Sequence, residues 1–199
     1  MKFLLSLLCI AGFSQFSFAT GTSLEVLAEM NLARTSPQHY AQLLAERMGG
    51  TRSPESNRAL AEAVSFLQKA RPLPPLDFSN GLMRSAQQHV VSQGAGGGIG
   101  HGSFSRRVSS YGQWSGGAGE NISYGHADAR GIVAQLIIDQ GVPGRGHRKN
   151  IFSRTFGVAG IACGSHARFG SMCVIDFAGG YQDSDAGIAS VGSQRSHGS

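Results

Sequence analysis

Seven histidines are the side chains best suited to chemistry near neutral pH. His101 stands between Gly100 and Gly102, where backbone can approach a ligand closely. His147 follows Gly144-Arg145-Gly146 and precedes Arg148-Lys149-Asn150 at a predicted helix start. Two imidazoles with carboxylates can hold a divalent cation that keeps open positions for water or substrate. They can equally form hydrogen-bonded His–carboxylate clusters without metal. There is neither an H-E-x-x-H nor a C-x-x-C pair, so spacing alone selects neither reading.

The other candidates read as structural. His39 and His89 fall in predicted helices as partly buried residues, and His126 precedes a helix with Asp128 in its first turn. His166, in a hairpin turn, and His197, in the tail, read as solvated. Ser103 lies two residues from His101 but outside any G-x-S-x-G, and Ser115 lacks the first glycine of that motif. The glycine-rich stretches 94–102 and 112–119 read as loops and fit neither phosphate-binding pattern. Arg145, Arg148, Lys149 and Arg154 near His147, and Arg106-Arg107 after His101, read as a solvated basic face. An anionic ligand or membrane surface is the alternative.

These residues need a scaffold, and composition bounds it. The chain has 199 residues, 41% hydrophobic and 15% charged, with 29 glycines and net charge +5. That suits one globular domain with long loops, and the charge is too mild to require nucleic acid. Met1-Lys2, an apolar run and Ser17-Phe18-Ala19 read as a signal peptide over residues 1–19. Export removes Cys9, leaves two cysteines and places the protein outside the cell or in a periplasm. Nothing later is apolar enough for a transmembrane segment.

Thr22-Ser23-Leu24-Glu25 reads as a capping box opening a helix through Leu27 and Asn31. Ser36-Pro37 restarts it, Gly49-Gly50 stops it, and Ser53-Pro54 opens another with Leu60, Val64 and Leu67. Residues 71–75 must be extended because of their prolines. A helix is expected from Leu76, one or two turns over 104–111, a strand over 120–124 and a helix over 127–140. The runs 158–163 and 171–177 read as a hairpin. Setting Cys163 opposite Cys173 also sets Ile161 opposite Ile175 and Ala159 opposite Phe177, all on one face. The register that groups the apolar residues is thus the one that permits a Cys163–Cys173 disulfide. Beyond Gly180 a disordered tail, 181–199, is expected. The class is α+β.

Four fragments in order resemble the CAP superfamily of cysteine-rich secretory, antigen 5 and pathogenesis-related proteins. They are Asn31-Leu32-Ala33-Arg34, His101 at its loop end, Gly119-Glu120-Asn121-Ile122, and Gly146-His147-Arg148-Lys149-Asn150-Ile151. The resemblance implies a three-layer α–β–α sandwich over residues 20–180, with a small antiparallel sheet between helices and a central cleft. It places His101, His147 and Glu120 in that cleft, with Asp139 where a second acid normally lies. Residues 53–71 look like an added helix. The function so implied is a secreted, monomeric binding module for a lipid or sterol, another small ligand or an extracellular protein. A divalent cation, Zn²⁺ or Mg²⁺, could sit at His101 and His147 without being required. The alternative is a metal-assisted, peptidase-like hydrolase with Glu120 as general base, and whether the protein is an enzyme is left open.

Overall fold

The structure, a computed structural model, describes residues 14–46 and 53–184, with side chains from residue 22 onward. Most of the expected signal peptide, the Gly49-Gly50 stop and the tail after residue 184 lie outside the described residues.

Helix α1 (Ser14–Thr35) runs through Thr22–Glu25 instead of starting there. The expected capping box is therefore interior to a longer helix. Helix α2 (Pro37–Ala45) follows with Pro37 in its first turn, where a missing N–H costs nothing. Helix α3 (Pro54–Lys69) is capped by Ser53, whose hydroxyl accepts from the Ser56 N–H at 3.2 Å. The proline segment is extended as expected, but the next helix starts later than Leu76. Strand β1 (Asp77–Phe78) intervenes, and Ser79, whose hydroxyl accepts the Leu82 N–H, caps α4 (Asn80–Gly94). Leu76 itself is buried and held at N–H and C=O by the Asn31 amide. Helix α5 (Phe104–Ser109) confirms the short helical turns.

Strand β2 (Gly112–Tyr124) is longer than expected, because the second glycine-rich stretch is strand and not loop. Its glycines answer close approach: a Cβ on Gly119 would stand 2.9 Å from the Phe156 ring. A bulge between Ser115 and Ala118 absorbs Gly116 and Gly117, both at positive φ. Helix α6 (Ala129–Ile138) is capped by Asp128, and α7 (Gly146–Ile151) follows a short 3₁₀ turn at Pro143–Arg145. Strands β3 (Val158–His166) and β4 (Gly170–Asp183) complete the chain, so β4 extends past the expected boundary at Gly180.

The sheet order is β1-β3-β4-β2, antiparallel except for the parallel β1–β3 pair. Cys163 faces Cys173, Ile161 faces Ile175 and Ala159 faces Phe177, the register expected from sequence. The Cys163–Cys173 disulfide is formed.

Alternation along these strands sorts two cores. Ala159, Ile161, Cys173, Ile175 and Phe177 join α1, α2, α3 and α6 in the larger one. Ala162, Met172, Val174 and Ile122 pack on Ala86 and Val90 of α4. The result is the three-layer α–β–α sandwich. Gly160 lets α4 approach, since a Cβ there would run into the backbone at Leu82 and Met83. Among the described residues no helix is long and apolar enough to cross a membrane.

Arg34 is the buried centre of one side. Its guanidinium donates to the carbonyls of Pro74 at 3.0 Å, Ile151 at 2.6 Å, Ser153 at 3.1 Å and Phe156 at 3.3 Å, with only 1% of the residue exposed. Lysine has three donors on one atom and cannot match that planar fork. Arg34→Lys should therefore cost about 2–4 kcal/mol through stranded carbonyls, read as a lower denaturant midpoint. A midpoint within error of wild type would show that the carbonyls find other donors.

Candidate functional site

The loop before α5 delivers His101. Gly100 and Gly102 both sit at positive φ, the reason glycine flanks the imidazole. The Gly100 carbonyl accepts from His89 Nε2 at 2.8 Å and Gln93 Nε2 at 2.9 Å, while its N–H donates to Tyr124 Oη at 3.2 Å. Burial lowers the His89 pKa and favours the neutral ring that serves this role. His89 is thus the buried structural histidine that its helix position predicts. His39 is instead exposed. His166 is not solvated: it is 2% exposed, its Nε2 donates to Gly98 O, and its Nδ1 accepts from the Arg168 and Phe169 N–H groups.

His101 Nδ1 donates to Glu120 Oε1 at 2.8 Å. The other carboxylate oxygen is bound by Arg107 Nη2, and Arg107 Nη1 also holds the His101 carbonyl at 3.0 Å. Arg107 is therefore buried in the site and is not part of a solvated basic face. The Glu120 bond raises the His101 pKa, against partial burial and the Arg107 charge. The Glu120 side chain is 2% exposed and the His101 side chain 55%. Solvent meets the imidazole, not the carboxylate.

Behind Glu120, directly across the strand pair, stands Asp176, fully buried. Its Oδ2 accepts from Ser85 Oγ at 2.6 Å, and its Oδ1 has no hydrogen-bond partner. Burial, reinforced by the charge of Glu120, holds its pKa well above the usual carboxylate range. Neither Arg107 nor Asp176 was expected at the site. For Asp176 the signal was present as one acid inside the apolar run Val174-Ile175-Asp176-Phe177.

The second imidazole is built at the end of α6. Asp139 caps that helix in the left-handed conformation, φ 54°, its N–H donating to Gln135 O at 2.8 Å. Asp139 Oδ1 accepts from His147 Nδ1 at 2.7 Å, and Oδ2 accepts the His147 N–H at 2.9 Å. Arg148 is also buried, with Nε on Ile137 O at 2.5 Å and Nη2 on Ile138 O at 3.2 Å. Asn121 Nδ2 donates to His147 O at 3.0 Å, and Asn150 Nδ2 to Asn121 Oδ1 at 2.8 Å. Consecutive β2 residues point to opposite faces. Glu120 therefore serves the His101 pair, while Asn121 holds the His147 segment from the other side.

A groove of about 540 Å³ opens on the His147 side, lined by Ile122, His126, Gln135, Leu136, Asp139 and His147 among others. His101 and Glu120 do not line it. Of the two carboxylate–imidazole pairs, Asp139–His147 borders the groove and His101–Glu120 does not line it. Among the described residues no three His, Cys, Asp or Glu side chains form a cation-holding group.

The raised His101 pKa adds stability that is complete below about 6.5 and is lost as pH rises through its folded value. By NMR titration His101 should titrate above about 6.5, and Glu120→Gln should bring it down. An unchanged midpoint in the variant would assign the shift elsewhere. For Asp176 the folded state holds its proton longer than the unfolded chain. Wild type should therefore lose stability as pH rises from about 4. Asp176→Asn should lessen that loss, and parallel pH–stability curves would show Asp176 ionised in the fold.

The family described as CAP, cysteine-rich secretory protein family, matches residues 27–177. No curated protein matches significantly. A cysteine-rich secretory protein from Staphylococcus aureus is similar in structure at TM-score 0.42 and 14% identity, over 65% of this chain. This chain spans 40% of that protein's length. An outer surface protein from Borrelia burgdorferi is similar at TM-score 0.46 and 17% identity, over 64% of this chain and 95% of that one. With the family match running from α1 to β4, the chain belongs to the cysteine-rich secretory protein, or CAP, family.

Proposed function

We propose that the protein is an exported, non-catalytic binding module whose ligand lies in the groove beside His147. One observation carries this reading: the groove of about 540 Å³ has an apolar wall, Ile122, Leu136, Ile138 and Val142, and polar groups at His147, His126 and Gln135. Such a lining suits a small amphipathic molecule, a lipid or sterol included, or an apolar side chain from a protein partner. The Asp139 bond fixes the His147 ring and leaves Nε2 to face a ligand. Export to an extracellular or periplasmic space is supported by the disulfide, because such bonds persist in oxidising compartments.

A divalent cation is the proposed accessory. In both pairs Nδ1 is committed to a carboxylate, the arrangement that directs Nε2 toward a metal. Two imidazole nitrogens suit Zn²⁺, which favours nitrogen, better than Mg²⁺, which favours oxygen, and water or ligand would have to supply the remaining positions. His101 and His147 would hold the ion, and it would supply Lewis acidity to a bound ligand. Glu120 and Asp139 would orient the rings and stay off the ion.

The second reading, a hydrolase, is favoured by the His101–Glu120 pair. A buried acid behind an exposed imidazole is how general bases are oriented. The enclosure of Glu120 transfers that role from the carboxylate to His101.

Calorimetry with Zn²⁺ on wild type, His101→Ala and His147→Ala tests the cation, with a heat expected in wild type and lost in both variants. Titration with vesicles or soluble amphiphiles tests the module, with His147→Ala and Leu136→Gln expected to weaken binding about tenfold. Identical isotherms in all variants would remove the groove from the function. Turnover of peptide or ester substrates abolished by His101→Ala would establish the hydrolase instead.

A further inference from the structure

The helix that looks like an addition to the family pattern reaches the groove twice, with Glu55 in its lining and Glu62 clamped to its rim. Glu62 of α3 accepts from Arg145 Nη2 at 2.6 Å, from Arg145 Nε at 3.1 and 3.2 Å, and from Arg148 Nη1 at 3.0 Å. Both arginines continue to the end of α6. Arg145 Nη1 binds the Asp139 carbonyl at 2.6 Å, while Arg148 binds those of Ile137 and Ile138. Arg148 also lies over the Phe66 ring of α3, 5.3 Å from its centroid, and Phe66 packs edge-on against Phe152.

The segment so clamped resists its own conformation. Asp139 and Arg145 are the non-glycine residues at positive φ among the described ones, and they bound the connection from α6 to α7. That conformation is unfavourable for an L-residue and persists only where surrounding bonds hold it. Asp139 carries the hydrogen bonds that aim His147. We infer that Glu62 is a positioning residue for the groove: through Arg145 and Arg148 it fixes the left-handed connection that sets Asp139 and the His147 imidazole. The α3 helix is thereby part of the binding apparatus and not a peripheral insertion.

Charge and exposure agree. Hydrogen bonding to Arg145 and then Arg148 pulls the Glu62 carboxyl down to about 2, so it stays charged through the physiological range. The Glu62 side chain is 49% exposed, which leaves the clamp open to salt screening.

This inference rests on the groove reading, but its experiment uses no ligand, so failure of ligand binding leaves it standing. Amide hydrogen exchange and the His147 Nδ1–H resonance are measured by NMR on wild type, Glu62→Gln and the control Lys69→Gln, an exposed charge on the same helix away from the groove. Glu62→Gln should accelerate exchange over residues 139–147 by about tenfold and broaden the His147 ring proton. It should leave the His101 ring proton and β3–β4 exchange unchanged. Wild type in about 1 M salt, where screening reaches ~3 Å, should move toward the variant, and the variant should not respond. Lys69→Gln should match wild type. The inference is overturned by an intact His147 resonance with exchange within about twofold of wild type. Uniform acceleration across all strands would also overturn it, as that marks general destabilisation.

Discussion

A buried cation answered only by backbone carbonyls is the constraint on which the rest of this fold depends. Arg34 draws together the proline segment, the end of α7 and the approach to β3 at Phe156. A charge so enclosed is tolerated only when its donors are paired. Burial lowers the Arg34 pKa, which records the cost of the placement. The carbonyls of Ile151 and Ser153 lie at and just past the end of α7, where unpaired helix carbonyls attract positive charge. The interaction therefore ends one helix and starts one strand at once. His147 sits at the other end of that same helix, so the guanidinium also limits where the imidazole can be.

The two imidazole pairs solve one problem by different means. Glu120 is long and lies on a strand, where its carboxylate spans His101 on one side and Arg107 on the other. Asp139 is one methylene shorter than Glu, and sequence alone suggests a shorter reach. The backbone supplies the difference. In the left-handed conformation Asp139 closes α6 and turns its carboxylate onto both the ring and the N–H of His147. Aspartate is among the few side chains that tolerate that region. A longer acid would fit the distance less well than the backbone already provides.

Legibility from sequence follows the same physics. The hairpin register could be read because it has two independent constraints, apolar alternation and one cysteine pair, and both agree. The helix starts at Pro37 and Pro54 can be read because the missing N–H and fixed φ of proline suit the first helical turn. The first half of strand β2 is not legible because glycine has no side chain to alternate. Its glycines mark close approach to Phe156 and Tyr181, which only the folded neighbours reveal. The burial of Arg107, Arg148 and His166 is hidden in the sequence for a related reason. Their partners are carbonyls and acids that are distant in sequence or carried by a turn, and no local pattern encodes them.

The polar cluster around Glu120 then gains a consistent explanation. Two facing carboxyl groups in a dry interior cannot both be charged without severe repulsion. Arg107 and His101 both donate to Glu120, while Ser85 offers Asp176 one hydroxyl. Burial, and then the facing Glu120, keep the proton on Asp176. A protonated carboxyl can donate toward its neighbour, which accounts for an Oδ1 that finds no ordinary donor. Asp176 thus lets Glu120 be held from behind without adding a second negative charge. That arrangement leaves the exposed His101 ring as the only part of the cluster free to answer solvent or ligand.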